Sequence, residues 1–229
     1  MYAVLFDIDG TLITTGGAGK VAFAETFAED FGIDSISDEV GFAGRSDRAI
    51  ALDLMRVHGV EPTDGNWARF REGYLPRLLP ALQSSVGAVL PGVETLLSQL
   101  ETQADVLVGL LTGNMRDGAE RKLTHYRLWE RFDCGGFGDV HTERELIARD
   151  AVESATAWSR STGGAGLTGA MVIGDTVHDV RCAKAVGAVS VAVATSSTSV
   201  EELLDESPDL LLQDLTDSEG LLAAIDAAC

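Results

Sequence analysis

The first eleven residues constrain the fold more than any other part of the chain. A run of five apolar or aromatic residues, Tyr2 to Phe6, predicts a buried strand, and Asp7-Ile8-Asp9-Gly10-Thr11 follows it directly. Because side chains alternate along a strand, Asp7 and Asp9 lean to the same side. Two carboxylates so placed repel each other unless a cation lies between them. A divalent cation with oxygen ligands, such as Mg²⁺, meets that need, so the sequence predicts an acidic metal site here.

The rest of the chain contains two kinds of segment. Residues 16–84 show helical patterns, with Ser46 as an expected N-cap, and no convincing strand. We expect the last of these helices to be interrupted at Pro76 and Pro80. From residue 85 onwards, apolar runs alternate with helical patterns, which is typical of a parallel sheet covered on both faces. The prediction is an α/β fold: a doubly wound, Rossmann-like parallel-sheet core (1–15 and 85–229) with an inserted all-helical cap domain (16–84).

Composition narrows the classes of partner. The chain has 17 Lys and Arg against 36 Asp and Glu, a formal net charge of −19. We therefore expect no binding to nucleic acid or to a membrane surface, and any phosphate site must be locally electropositive. The widely spaced Cys134, Cys182 and Cys229 indicate reduced thiols, and neither a leader-like start nor an apolar run of about 18 residues occurs. We expect a soluble, cytoplasmic protein, either a monomer or a homodimer.

Two other expected strands also end in polar residues. The apolar run 106–111 leads into Thr112-Gly113-Asn114, and the run 170–173 leads into Gly174-Asp175, with Asp179 four positions later. In a parallel α/β sheet, ligands bind outside the carboxyl ends of the strands. Three polar strand ends are hard to explain as unrelated turns, so we expect them to form one site.

These motifs resemble those of the haloacid-dehalogenase-like hydrolase superfamily, in particular its phosphoglycolate-phosphatase-like and β-phosphoglucomutase-like members. Asp7-Ile8-Asp9-Gly10-Thr11 is similar to the family's first motif, DxDGT, and Gly174-Asp175 with Asp179 is similar to its acidic fourth motif, GDxxxD. Thr112-Gly113-Asn114 is similar to the second motif, a Ser or Thr at a strand end. The resemblance spans essentially the whole chain, including a helical cap between the first two motifs.

The resemblance implies a Mg²⁺-dependent phosphatase that hydrolyses a small phosphorylated metabolite through an aspartyl-phosphate. Asp7 is the implied nucleophile and Asp9 the implied acid and base, both known roles of carboxylates. Thr112 would hold the phosphoryl oxygens in the transition state. The implied metal ligands are Asp7, Asp9, Asp175 and Asp179, the last through a water or by orienting Asp175. The implied substrate-binding residues are Gly10, Thr11, Gly113 and Asn114.

The third motif of the family is where this sequence departs from the pattern. That motif usually supplies a Lys, but residues 137–159 contain neither Lys nor Pro. Because the phosphate and the nucleophile both need a cation, we expect Arg144 to be a catalytic residue in its place, with Arg149 as the alternative. In the cap, Arg45 precedes a helix. It is equally compatible with binding an anionic substrate and with a purely structural role at that helix N-terminus.

Four other activities are alternatives to a phosphatase. A phosphomutase of the same family is not distinguished by these motifs, because only the cap decides whether water or a sugar hydroxyl accepts the phosphoryl group. A non-catalytic phosphoacceptor also uses an acidic Mg²⁺ site, but it lacks the helical insertion. A true dehalogenase is disfavoured by the presence of Asp9. A phosphonatase would need a cap lysine for a Schiff base, and Lys20 is the only one.

Overall fold

The computed structural model describes residues 1–228. Its core is a six-stranded sheet in the order β5-β4-β1-β6-β7-β8, in which every neighbouring pair is parallel. The strands are β1 (Tyr2–Phe6), β2 (Ile13–Thr14), β3 (Ala88–Val89), β4 (Val106–Leu111), β5 (Cys134–Gly136), β6 (Gly169–Gly174), β7 (Val189–Val193) and β8 (Leu210–Leu212). This order, with β1 in the interior and connections leading to both sides, confirms the predicted doubly wound α/β class.

Helices cover the sheet and form the segment between β2 and β3. They are α1 (Ala18–Phe31), α2 (Asp47–Val57), α3 (Asp64–Ser84), α4 (Val93–Leu100), α5 (Arg116–His125), α6 (Arg144–Ser161), α7 (Val177–Ala185), α8 (Val200–Asp205) and α9 (Glu219–Ala228). All five residues of β1 are buried, because the strand lies between β4 and β6 and has apolar layers on both faces. Within the described residues, no helix is long and apolar enough to cross a membrane.

Helices α1, α2 and α3 pack on one another rather than on the sheet. Their shared core is aromatic: Phe23 lies 4.6 Å from Phe70 and 5.0 Å from Tyr74, measured between ring centroids. The chain enters this helical unit after β2 and leaves it before β3, and these two short strands pair antiparallel. The sequence analysis did not foresee this two-stranded connection. The exact domain limits, 1–15 with 85–229 and 16–84, stay a prediction.

The expected interruption of the third cap helix is wrong. Helix α3 continues through Pro76 and Pro80 to Ser84. Each proline removes one backbone hydrogen bond and strains the preceding turn. The buried face of the helix nevertheless continues past both prolines, with Leu78 and Leu82 almost fully buried. Packing of this face against the cap core offsets the local cost, and sequence propensity alone does not report such packing.

The cysteines of the described part of the chain, Cys134 and Cys182, are free thiols, as predicted. Cys182 is buried and Cys134 is partly buried, and burial raises the pKa of each to about 12. Neither thiol is therefore activated as a nucleophile. Cys229 lies outside the described residues.

Candidate active site

A cleft of about 310 Å³ lies between the carboxyl ends of the central strands and the helical unit. Strand β1 brings Asp7 and Asp9 to it, β4 brings Thr112, and β6 brings Asp175. These three strands are neighbours in the sheet, so residues more than 160 positions apart in sequence meet at one edge. This is the position at which doubly wound folds bind their ligands.

The floor of the cleft is a cluster of buried carboxylates. Oxygens of Asp7, Asp175 and Asp179 lie within 4.8 Å of one another, and each residue is at most 5% exposed. Burial raises the pKa of Asp7 to about 8, and the neighbouring carboxylates add to the rise while Arg144 opposes it. The cluster as it stands is thus short of positive charge.

Arg144, at the start of α6, is the cation of this cluster. Its Nη2 lies 3.6 Å from Asp7 Oδ1 and also pairs with Asp179 Oδ1. The side chain is 5% exposed, so the guanidinium is held in place by these carboxylates. Arg149 lies on the same helix but is exposed, and it does not line the cleft. The geometry thus favours Arg144 over Arg149 for the position that the family fills with Lys.

Asp179 is occupied by protein partners on both of its oxygens. Oδ1 pairs with Arg144, while Oδ2 accepts from the backbone N of Thr176 at 3.0 Å and from its hydroxyl at 2.7 Å. This arrangement is a capping box at the start of α7. The side chain therefore fixes Arg144 and the helix start, and only the indirect metal role predicted for it suits this geometry.

Asp175 is positioned by two of the residues that the family resemblance assigned to the substrate. Thr11 Oγ1 donates to Asp175 Oδ1 at 2.9 Å. Gly10 has φ +88°, and a Cβ at this position would overlap the Asp175 carboxylate. Burial raises the pKa of Asp175 to about 6, with Asp179 adding to the rise. Gly10 and Thr11 thus contact the carboxylate directly and contribute to the site through it.

A loop that the sequence analysis missed completes this side of the cleft. Thr195 Oγ1 donates to the Gly10 carbonyl, and Ser196 Oγ donates to the Asp175 carbonyl at 3.3 Å. Both residues follow β7, so a fourth polar strand end joins the three that were predicted. The available signal was the run of hydroxyl residues 195–199 directly after an apolar strand.

Asp9 is held by a second network, centred on Asn114. Asp9 Oδ2 accepts from Asn114 Nδ2 at 2.8 Å and from Lys122 Nζ at 2.6 Å, and Lys122 also donates to Asn114 Oδ1 at 2.6 Å. Asn114 Nδ2 further donates to Thr112 Oγ1 at 2.8 Å, which leaves the hydroxyl hydrogen of Thr112 free to donate. Asn114, predicted to bind substrate, thus orients both Asp9 and Thr112.

Lys122 is the functional residue that sequence reasoning missed most clearly. It lies on α5, and its side chain is only 6% exposed. The nearby carboxylates of Asp9 and Asp47 raise its pKa, although burial opposes them. A charged side chain on the buried face of a helix, next to Ala119 and Leu123, was the signal.

The helical unit is fastened to the core beside this network. Asp47 N donates to the Gly113 carbonyl at 2.7 Å, and Met115 N donates to Asp47 Oδ2 at 2.8 Å. A Cβ on Gly113 would overlap the carbonyl of Arg45, so this predicted binding residue permits close approach of the cap loop. Arg45 itself lines the cleft, but its guanidinium pairs with Asp53. The structure thus gives Arg45 both a position at the site and a structural contact.

Lys20 lines the cleft from α1, at its rim. Its Nζ donates to Asp38 at 2.9 Å, and the side chain is 53% exposed. A Schiff-base lysine needs a depressed pKa, which burial away from carboxylates supplies. Lys20 is half-exposed and paired with a carboxylate, so its surroundings are not those of a Schiff-base lysine.

Comparison with known proteins agrees with this arrangement of carboxylates, hydroxyl and cation. Residues 4–193 match the haloacid dehalogenase-like hydrolase family, and the chain belongs to it. The chain is 30% identical over 227 residues to the phosphoglycolate phosphatase of Synechococcus elongatus, and the alignment covers 95% of each protein. The protein is therefore an enzyme of the phosphatase type that acts on small phosphorylated substrates.

The chain is also similar to two further proteins. A phosphonoacetaldehyde hydrolase of Paraburkholderia phytofirmans is 32% identical over 127 residues, which is 50% of this chain and 46% of that protein. The crystal structure of CbbY from Rhodobacter sphaeroides in complex with phosphate superposes with a TM-score of 0.73 at 21% identity, covering 95% of this chain and 96% of the other. This structural likeness supports the fold.

Proposed function

We propose that the protein is a Mg²⁺-dependent phosphatase that hydrolyses a small phosphate monoester through an aspartyl-phosphate on Asp7. One observation supports this most strongly. Asp7 is buried at the floor of the cleft, 3.6 Å from the Arg144 guanidinium, while Asp9 lies beside it on a separate network and is 39% exposed. The two carboxylates therefore have different surroundings, as a nucleophile and a proton carrier require.

The donor set fits a hard divalent cation. Three buried carboxylates, Asp7, Asp175 and Asp179, face a single guanidinium, so the cluster has an excess of two negative charges if all three ionise. Because both oxygens of Asp179 are engaged, Asp7, Asp175 and the Asp9 carbonyl would hold Mg²⁺. When bound, the ion neutralises charge on the phosphoryl oxygens.

The chemistry assigned to the chain's own residues has two steps. In the first, a carboxylate oxygen of Asp7 bonds to phosphorus, the ester P–O bond breaks, and Asp9 donates a proton to the departing oxygen. In the second, Asp9 takes a proton from water as the water oxygen bonds to phosphorus. The aspartyl P–O bond then breaks, which releases phosphate and regenerates Asp7. The Thr112 hydroxyl and Arg144 would donate to the phosphoryl oxygens throughout.

The first substrate to test is 2-phosphoglycolate, because the relative from Synechococcus elongatus is named as a phosphoglycolate phosphatase. The cleft volume of about 310 Å³ suits a leaving group of only a few heavy atoms. A phosphomutase remains the alternative within the family, and it would return an isomerised sugar phosphate rather than free phosphate.

The test is phosphate release from p-nitrophenyl phosphate, 2-phosphoglycolate and a panel of small phosphate esters. We expect turnover with Mg²⁺, none in EDTA, and none in Asp7→Asn. Asp105→Asn, an exposed carboxylate that does not line the cleft, is the matched control and should retain activity. Equal activity in Asp7→Asn would contradict the role of Asp7. A stable acyl-phosphate without turnover would indicate a phosphoacceptor instead.

A further inference from the structure

The cap side of the cleft contains a polar group with no partner. Tyr74, on α3, is fully buried, and within the described residues its hydroxyl has no hydrogen-bond partner. A buried hydroxyl without a partner destabilises the fold, so such groups usually have a function or a ligand. Tyr74 lines the same cleft as Asp7 and Asp9.

The space next to this hydroxyl is kept open by a glycine. A Cβ built on Gly19, in α1, would lie 3.9 Å from the Tyr74 hydroxyl oxygen and 3.7 Å from Lys122 Nζ. These are ordinary van der Waals contact distances, so a small group would fit at this position without a clash. Gly19 also lines the cleft. Gly19 is the second residue of α1, where alanine would also be compatible with the helix.

Lys122 brings a second donor to the same space. An ammonium has three N–H donors, and the structure shows two hydrogen bonds from Lys122 Nζ, to Asp9 and to Asn114. The remaining donor lies close to the empty position over Gly19. Because Lys122 contacts Asp9 at 2.6 Å, this position adjoins the residue that would protonate the leaving oxygen.

We propose that Tyr74 and Lys122 form a leaving-group subsite over Gly19, which binds an acceptor oxygen on the carbon next to the phosphorylated one. The substrates it selects are small esters that carry a hydroxyl or carboxylate at that carbon. Simple alkyl phosphates offer no acceptor there and would leave the Tyr74 hydroxyl unpartnered. This inference rests on the proposed phosphatase function and adds the feature by which the enzyme recognises its substrate.

The cleft that contains the subsite is lined by apolar side chains as well as by the carboxylates of Asp9 and Asp47. Phe23, Phe42 and Ile50 also line the cleft from the helical unit. An apolar wall strengthens hydrogen bonds made within it and penalises a donor left without a partner. Discrimination therefore comes from the two donors rather than from the surrounding surface.

The test compares matched substrate pairs: glycerol 1-phosphate against propyl phosphate, and 2-phosphoglycolate against ethyl phosphate. For the wild-type enzyme with Mg²⁺, we expect a higher kcat/KM for the oxygen-bearing member of at least one pair. Tyr74→Phe should lower that preference about fivefold to tenfold, the loss of roughly one hydrogen bond. The pair that responds shows whether a hydroxyl or a carboxylate occupies the subsite.

Gly19→Ala is the second variant and separates recognition from folding. Its methyl group would occupy the subsite without a clash while favouring the helix, so we expect an unchanged or higher melting temperature together with the same loss of preference. Tyr2→Phe and Gly65→Ala are the matched controls, because Tyr2 donates to Ala170 on the sheet and Gly65 lies exposed at the start of α3. Both should keep the wild-type preference.

Three results would overturn the inference. These are a wild-type enzyme that favours the alkyl esters, a preference that survives Tyr74→Phe, and an equal loss on both members of each pair. Phosphate release that depends on Mg²⁺ and Asp7 in any of these cases would leave the proposed function standing. No phosphate release from any ester by the wild-type enzyme would instead remove the proposed function, and the subsite with it.

Discussion

The two walls of the cleft differ in how their polar groups are arranged. On the core wall, Asp175, Asp179 and Arg144 are buried and joined by ion pairs and short hydrogen bonds. On the cap wall, apolar side chains line the cleft beside Lys20, Arg45 and Asp47, and the Tyr74 hydroxyl has no partner among the described residues. The core wall is preorganised for one reaction, and the cap wall presents the Tyr74 hydroxyl to a substrate. The groups assigned to the chemistry thus lie on the core, whereas the proposed subsite combines Tyr74 of the cap with Lys122 of the core.

Among the variants of the two walls, substitution of Asp9, the proton carrier of the core wall, should lower kcat the most. Asp9→Asn cannot transfer a proton, so we expect kcat for alkyl phosphates to fall about 10²- to 10⁴-fold. p-Nitrophenyl phosphate has a leaving group that needs little protonation, and its turnover should fall much less. Steady-state kinetics on both esters measures the difference. Equal losses on both would show that Asp9 acts otherwise than as the acid for the leaving group.

A smaller effect is expected from the cation of the core wall. Arg144→Lys keeps the charge but loses the guanidinium nitrogen Nη2, which contacts both Asp7 and Asp179, so we expect kcat to fall about tenfold to a hundredfold on every ester. Arg149→Lys, on the exposed face of the same helix, is the matched control and should match the wild-type enzyme. A loss that varied from one leaving group to the next would contradict the separation of the two walls.

The core wall also predicts how stability depends on pH. Burial raises the folded-state pKa of Asp7 from 3.8 to about 8, so the folded protein binds more protons than the unfolded chain between these values. Stability without metal should therefore be full at low pH within that window and fall as the pH rises towards 8. Asp7→Asn removes the buried charge. An increase of roughly 2 kcal/mol in the free energy of unfolding would raise the melting temperature about 4–8 °C for a chain of this size.

Thermal melts in EDTA at pH 5 and pH 8.5 test this directly. The advantage of Asp7→Asn should appear at pH 8.5 and shrink at pH 5, where Asp7 of the wild-type chain is protonated as well. Mg²⁺ should stabilise the wild-type protein at pH 8.5 and stabilise the variant less. Asp105→Asn should follow the wild-type curve. An Asp7→Asn variant that melts lower in EDTA at pH 8.5 would contradict the picture of a charge-deficient cluster.

The smallest effect should come from the cap wall outside the proposed subsite. The Arg45 guanidinium already pairs with Asp53 and is partly exposed, so its attraction for an anionic substrate is reduced. We expect Arg45→Ala to raise KM only about twofold to fivefold, with kcat unchanged, since such a contact stabilises ground state and transition state alike. A large fall in kcat would mean that the cap loop takes part in chemistry.

The sequence predicted the residues of the core wall better than those that complete the site from helices. Asp7, Asp9, Thr112 and Asp175 were predictable because strand periodicity and the parallel sheet bring strand ends together. Lys122 was only hinted at by its place on an apolar helix face, because its side chain reaches Asp9 from the last turn of α5, and only tertiary packing fixes that distance. Tyr74 was hidden for a related reason. An aromatic residue in a helical stripe is normally part of a core, and its missing partner becomes visible only in three dimensions.

The continuous helix α3 and the β2–β3 pair show the same limit. Proline propensity predicted an interruption that packing of the helix face against α1 overrides. The two-residue strands are too short for any periodicity to register. Local patterns therefore predicted elements and strand ends, whereas contacts between the helical unit and the core required the folded chain.

The central claim is that Asp7 forms a covalent bond to phosphorus during turnover, and acid quenching tests it most directly. The enzyme is mixed with Mg²⁺ and p-nitrophenyl phosphate, quenched in acid within one turnover, digested and analysed by mass spectrometry. We predict one phosphoryl group on the peptide that contains Asp7, removable by hydroxylamine and absent from Asp7→Asn. A phosphoryl group on any other residue, or full turnover by Asp7→Asn, would contradict the account.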